Sequence, residues 1–541
     1  MTALDYSLCG GYLVAVLAIG AFFFRSQKSS REYFLAGRGL GWVVVGVSLM
    51  ATMASSIGFI GAPTAALGAG TIMLWSLVAL PVSYPLVTRL FMPLFRNLRV
   101  YTAYEYLEHR FSLRVRLLAS ALFILWRVTW MAVTLYVPAM VLHVASDGAV
   151  PIAAAVIVLG AAATVYTTFG GLRAVIWTDI AQFIVMFSGV GVALYTVTAH
   201  VPGGVAGVIE TAASAGKTAI AASVPGWDGA TFGEKFKLYL YTDFTVLAII
   251  VSFTLDKFGN YCVDQTMIQR YLSARSIETA RRGFLLNCVT FASYFTLMIC
   301  VGLALFAFRA HTPLPEGLKA DAVFPHFIAN YMPVGAAGLM LSAIMAAAMS
   351  SMDSGVNACI GAITNDFYYR AWRGEHNMES AANDAEAVRA RVRLARYSCV
   401  GLGALVIACG SVVGSLGTVF ELALKVVNCF LGELFALFLL GLFTRRAGAR
   451  GVFWGGVIGG VITALVVLAR NLAAWSLAWN GGQSSALSRF FAALDIGFLW
   501  TSAVGLIATL VIGYGLSLIL DRGREQPRWT YRDIGLGEPE A

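Results

Sequence analysis

Apolar runs of about 20 residues recur from one end of this 541-residue chain to the other, and each is long enough to cross a bilayer as a helix. No other feature narrows the fold so much. Backbone inside hydrocarbon must satisfy its own hydrogen bonds, which leaves helices or closed barrels, and runs of this length select helices. Mean hydropathy is +0.76, with 59% hydrophobic and 12% charged residues. The expectation is an all-α polytopic membrane protein. Spans fall near 4–24, 43–70, 72–93, 117–142, 151–169, 174–199, 238–262, 284–308, 327–362, 397–414, 418–441, 452–470 and 497–520, thirteen in all. The first lacks a basic leader and a small-residue cleavage site, so it reads as a retained span.

The net charge of +9 would suit a nucleic-acid binder, but its placement does not. Most lysines and arginines gather in alternate loops, including Arg25, Lys28, Arg31 and Arg38, the segments Arg96 to Arg116 and Arg370 to Arg396, and Arg445, Arg446 and Arg450. The opposite loops hold Lys217, Lys235, Lys237, Arg309, Lys319, Arg470 and Arg489. This asymmetry predicts an outer N-terminus and an inner C-terminus. The eight cysteines lie mostly in or beside apolar runs without CxxC spacing, and the six histidines form no HExxH pair. No phosphate-binding GxxxxGK[ST] and no nucleophile–base constellation is present, so a transporter is expected and not an enzyme. The Asp256-Lys257-Phe258-Gly259 sequence lacks the large soluble domains of a phosphorylated pump. No low-complexity tract or short-period repeat is visible, and the tail after Asp521 is too short for a soluble domain.

Three stretches carry the chemistry. Leu341 to Asp366, LSAIMAAAMSSMDSGVNACIGAITND, is apolar enough for a bilayer yet polar on one side. Residues three, four and seven apart share a helix face, so Ala347, Ser350, Ser351 and Ser354 form a small hydroxyl-bearing stripe with Asp353 at its edge. Two readings stand: a small-residue packing face, or an ion path. An intramembrane carboxylate needs a cation. Leu49 to Gly70, LMATMASSIGFIGAPTAALGAG, crowds five Gly and Pro residues into one span, which predicts an interruption near residues 54–61 or a kinked, tightly packed helix. Carbonyls freed by an interruption belong in a cavity or on a cation. Gly170 to Met186, GGLRAVIWTDIAQFIVM, opens with a turn and places Asp179 and Gln182 on one face, either directed inward or solvated at the interface. Among other charges, Glu421 and Lys425 have i, i+4 spacing and suit a structural ion pair. Arg127 suits a carboxylate partner ahead of the other reading, substrate binding, and Glu433 has no assignment.

Together these stretches resemble the sodium:solute symporter family, with GGLRAVIWTDIAQ matching its signature, AAAMSSMDS its ion-binding helix, and VDQTMIQRYLSARS (263–276) and GLFTRRAGARG (441–451) its loops. The resemblance runs from about Glu32 to Gly460. It implies a LeuT-type core of two five-helix halves in inverted repeat, here about 43–199 and 238–441. An extra helix and loop (1–42), an external loop (200–237), two C-terminal helices (442–520) and a tail (521–541) complete the chain. It also implies Na+ coupling. The main sodium site falls on carbonyls of Ala51, Ala54 and Ala347 with hydroxyls of Ser350 and Ser351. A second ion, sodium or a proton, falls on Asp179, Asp353 and Ser354, where Asp353 replaces a serine of some members. Position alone marks Ser56, Gly58, Phe59, Trp75, Trp130, Tyr261 and Gln265 as the lining of the solute pocket. The implied function is sodium-driven import of a small organic solute, a carboxylate or vitamin, by alternating access. A sugar cargo and proton coupling are the alternatives. The expected partners are sodium, solute and lipid, with no nucleic acid and no obligatory protein.

Overall fold

The computed structural model describes residues 1–23, 39–98, 100–221, 226–242, 244–375, 385–413, 419–480, 483–523, 527, 529–531 and 533–534, and at 169, 170, 385, 388 and 419–428 the backbone alone. Among the described residues the regular structure is helical, with a single parallel bridge between Leu40 and Ala274. Among the described residues ten helices are long and apolar enough to cross a membrane, and three shorter apolar helices accompany them.

The principal helices are α1 (Ala3–Phe23), α2 (Trp42–Met53), α3 (Ser56–Ala69), α4 (Leu113–Ala145), α5 (Ile152–Ala199), α6 (Val246–Val263), α7 (Gln265–Ser273), α8 (Ile277–His311), α9 (Ala336–Ala362), α10 (Ala385–Val412), α11 (Val419–Phe443), α12 (Ala449–Trp479) and α13 (Thr501–Leu520). Within α5 the anticipated Gly-Gly turn is real: Gly171 sits at φ 55°, ψ −168°, which a side chain would strain, and the helix is two helices joined there.

The chain divides into two compact units. The first comprises 1–74, 127–220 and 265–423. In it α5 packs against α1, α2, α8, α9 and α10. Small residues permit the close approaches: a Cβ on Gly189 would lie 2.4 Å from that of Ala343, and one on Gly46 would lie 2.6 Å from the Gly283 carbonyl. The buried side of α1 is a single stripe, Asp5, Cys9, Tyr12, Val16 and Gly20. It lies on α9 and α5. Asp5 Oδ1 accepts the N–H groups of Gly335 (2.8 Å) and Gly338 (3.0 Å), capping α9 from another helix. The start of α2 is tied to the end of α7, since Leu40 N–H donates to the Ser273 carbonyl and Arg275 N–H to the Leu40 carbonyl, both at 3.1 Å.

The second unit comprises 75–126, 221–264 and 424–541. Its centre is a regular antiparallel contact of α12 with α13. A Cβ on Gly451 would strike Ser517, one on Gly455 would come 2.2 Å from Gly513 Cα, one on Gly459 2.0 Å from Thr509 Oγ1, and one on Gly505 2.8 Å from Thr463 Oγ1. One residue climbs by four as its opposite descends by four, so a four-residue small-residue period was present in the sequence after all. On its other side α11 sets Gly432 against Ser502 and Leu437 against Gly456.

The interruption expected near residues 54–61 is present at the early edge of that window, at Ala54 (φ −80°, ψ 96°) and Ser55 (φ −93°, ψ 161°), and divides the span at 43–70 into two helices, while several other expectations are corrected. Both angles are ordinary extended backbone, so the break needs no glycine, and Gly58, Gly61 and Pro63 lie inside α3. The span at 238–262 starts later: Phe232–Tyr241 is a separate helix closed at its start by a Thr231–Glu234 capping box, and α6 starts after Thr245, whose hydroxyl accepts from Ala248 N–H. Likewise Val323–Tyr331 is separate from α9, which begins after Gly335 at φ 86°. Two arginines counted as loop charges are wholly buried. Arg110 donates to the carbonyls of Gly441 (3.1 Å) and Thr444 (2.7 Å), completing the end of α11, and Arg270 belongs to the site below. The basic residues 25–38 and the side chains of Glu421 and Lys425 lie outside the described residues.

Candidate ion and solute site

The break between α2 and α3 supplies carbonyls. Ala54 N–H donates to the Met50 carbonyl (2.9 Å) as the last bond of α2, so the carbonyls of residues 51–54 have no partner within that helix. Ala51 and Ala54 are both buried. Opposite them runs α9, which packs against α2 and α3 and is enclosed along nearly its whole length. Ala347, Ser350, Ser351, Asp353 and Ser354 are all buried on it. Ser351 Oγ is buried without a hydrogen-bond partner. An orphaned hydroxyl is rare in a protein interior and suits a ligand oxygen.

Asp179 is not at a solvated interface. It is wholly buried, and its Oδ1 accepts from Ser350 Oγ and its Oδ2 from Ser48 Oγ, both at 2.5 Å. Its ion-pair partner is Arg270, whose Nη2 lies 3.0 Å from Oδ2, with both side chains fully buried. The same guanidinium donates to Ser48 Oγ (2.8 Å), to the Thr266 carbonyl (2.8 Å) and to Ser354 Oγ (2.5 Å). Ser354 in turn donates to Asp353 Oδ1 (3.1 Å), whose Oδ2 accepts from Tyr166 OH (2.7 Å) and, at 3.5 Å, from Thr178 Oγ1. Thr52 Oγ1 stands 3.3 Å from Ser354 Oγ. Four helices, α2, α5, α7 and α9, thus converge on one buried network containing two carboxylates and one guanidinium. With both acids ionised it carries one negative charge.

Ser350 joins the two expected ion sites, since it belongs to the first by position and bonds to Asp179 of the second. Arg270 was missed. The polar DQTMIQRYL segment reads as a loop by hydropathy, but it is the short helix α7 following a second break at Asp264 (φ −76°, ψ 117°). A usable signal was present: an arginine beside a span, in a chain with two intramembrane acids and few cations to answer them.

The expected solute residues are more scattered. Ser56 Oγ donates to the Thr134 carbonyl (2.6 Å), and Phe59 is buried edge-on to Tyr294 at 5.5 Å between ring centroids. Gly58 and Trp130 are half-buried, and Gln265 is wholly buried at the start of α7. Trp75 and Tyr261 belong to the second unit. Arg127 is buried.

The sodium:solute symporter family model matches residues 33–459. The chain belongs to the sodium:solute symporter family. It is a sodium-coupled symporter embedded in a membrane, a transporter and not an enzyme. This symporter is 28% identical to the sodium/sialic acid symporter of Aliivibrio fischeri over 94% of its own length and 92% of the relative's. It is 29% identical to the sodium/sialic acid symporter of Proteus mirabilis over 86% and 89%. With human sodium-coupled monocarboxylate transporter 1 it shares 28% identity over 85% and 72%. Among solved structures it resembles a substrate-bound, outward-open Na+-coupled sialic acid symporter, with TM-score 0.78, 26% identity and coverage of 95% and 98%. A nucleobase-cation-symport-1 family transporter in a closed conformation, with TM-score 0.51, 12% identity and coverage of 89% and 93%, shares the fold.

Proposed function

We propose that this symporter imports a small organic solute bearing a carboxylate, driven by sodium bound where α2 breaks against α9. The observation that carries the reading is the buried network, one positive charge short, beside an orphaned serine hydroxyl and unpartnered helix-end carbonyls. Sodium is a hard cation that takes oxygen ligands, and a broken helix facing a hydroxyl-bearing one supplies them. The main ion uses the carbonyls of Ala51, Ala54 and Ala347 and the hydroxyls of Ser350 and Ser351. A second positive charge, sodium or a proton, sits at Asp179, Asp353 and Ser354. Asp353 favours this, since its described partners are hydroxyls and not a cation. The solute lies near Ser56, Gly58, Phe59, Trp75, Trp130, Tyr261 and Gln265. Sialic acids and monocarboxylates, the cargo named for its relatives, both carry a carboxylate, which supports that solute class.

The topology is thirteen membrane helices with the N-terminus outside and the C-terminus inside. Two inverted five-helix repeats, 43–199 and 238–441, form the core between the 1–42 extension and the 442–520 pair, with 200–237 external and 521–541 internal. Breaks in the first helix of each repeat, at Ala54–Ser55 and at Asp264, support this division. Sodium binds from outside and draws α2 and α9 together, which forms the solute pocket. Solute then closes the outer side and rocking opens the inner one. Ion and solute each raise the other's affinity, as linkage requires.

A thermal-shift screen of small acids, vitamins and sugars, with sodium or with choline, tests both halves. A carboxylated solute should raise the melting temperature more in sodium. A neutral sugar that alone does so would discard the solute class, and equal shifts in choline would discard sodium binding at the site. Proteoliposome uptake against a pH gradient in choline separates proton coupling.

A further inference from the structure

Glu433 takes no part in the network around Asp179. It projects from α11 in the second unit, is 0% exposed, and reaches the α12–α13 contact at the rung where Thr463 faces Gly505. Thr463 Oγ1 donates to its Oε1, while Oε2 is buried without a partner. A Cβ on Gly505 would lie 2.3 Å from Oε1, so the absence of a side chain there makes room for the carboxyl. One helical turn along α13, Thr509 Oγ1 is also buried and unpartnered, facing Gly459.

No described cation answers this acid. On its own helix the nearby ionisable group is Cys429, one turn away, with Lys425 and Glu421 further along where only the backbone is described. α12 carries Arg450 in its first turn and Arg470, the latter engaged with Asp495 at 3.1 Å, and α13 carries no charged residue. α6, which packs on α13 and sets Gly259 against Leu431 of α11, carries Lys257, engaged with Asp256 at 2.8 Å. An ionised carboxylate held alone in such surroundings would cost far more than one hydroxyl bond returns, so the group takes up a positive charge.

We propose that Glu433 is the anionic ligand of an auxiliary site for one monovalent cation, a proton or an alkali ion, built by α11, α12 and α13 apart from the transport network. Thr463 fixes one carboxyl oxygen. The other oxygen receives the cation, with Thr509 a turn away on the same face. Bound charge joins the three helices, and its loss would open the small-residue contact to water.

The test compares the purified full-length symporter with Glu433→Gln, which keeps the shape and removes the charge. Melting is followed across pH in choline, and again with sodium added. If the ligand is a proton, wild type melts progressively lower relative to the variant as pH rises, and sodium does not restore it. If it is an alkali ion, sodium raises wild-type melting in choline medium by an increment missing from the variant. Either result supports the site and says which ion fills it. Parallel melting curves at every pH and sodium concentration would overturn it. Thr463→Val leaves the carboxyl in place and guards against a variant that fails to fold. It should move the midpoint of the pH or sodium response about tenfold in ion concentration, and an unmoved midpoint also overturns the proposal.

Discussion

Ser350 and Ser351 are neighbours with different employment, and substitution should separate them. Ser350 donates to Asp179, and a hydrogen bond to a charged group is worth about 1.5–3 kcal/mol, so Ser350→Ala should lower stability by that order as well as impair sodium binding. Ser351 has no protein partner to lose. Ser351→Ala should leave melting nearly unchanged while raising the sodium concentration for half-maximal uptake about tenfold, the equivalent of 1.4 kcal/mol. Equal effects on both properties in both variants would remove Ser351 from the ion site. Arg270→Gln strands two buried carboxylates and should cost about 3–5 kcal/mol in a denaturation assay. Adding Asp179→Asn should recover much of that loss without restoring sodium dependence. Asp179 and the α9 stripe were legible because polar groups stand out in an apolar span. Arg270 was not, because hydropathy assigns a polar half-helix to a loop.

Two elements carry predictions of their own. α1 lies outside the proposed repeats but closes the start of α9 through Asp5, so Asp5→Ala should cost about 1 kcal/mol, while Asp5→Asn, which keeps an acceptor oxygen, should cost less. If melting reports no difference between the two variants, the cap contributes nothing beyond packing. In the α12–α13 contact, Gly455→Ala would force a methyl to 2.2 Å from Gly513 Cα and should destabilise by about 1–3 kcal/mol. Gly460, one position round the same helix from Gly459, meets nothing within 4 Å, and Gly460→Ala should be neutral or slightly stabilising. The positions of most membrane helices could be read from hydropathy. The interruption expected near residues 54–61 is there, at the early edge of that window, but the glycines and proline that pointed to it do not make it: Gly58, Gly61 and Pro63 lie inside α3, and Ala54 and Ser55 break the span with extended dihedrals that any residue adopts.

At the scale of the molecule, coupling to a membrane potential is the decisive property. Each charge moved inward through 100 mV is worth about 2.3 kcal/mol, or roughly a 50-fold accumulation of solute. Proteoliposomes clamped at graded potentials should show this slope once for one net charge and twice for two, and adding the negative charge of the solute's own carboxylate to that count gives the number of cations that accompany it. Uptake insensitive to both potential and sodium would contradict the proposed cycle. The pairing of Leu40 with Ser273 and Arg275 bears on how such a cycle runs. It works as a hasp between the two discontinuous helices, closing at the ends remote from their breaks. α2 cannot swing away from α7 without undoing both of its backbone bonds, so any tilt of one is handed to the other. The α2 carbonyls proposed to hold the ion and the guanidinium on α7 would therefore travel together, and a sodium ion entering that proposed site would displace a coupled pair of levers instead of a single rod.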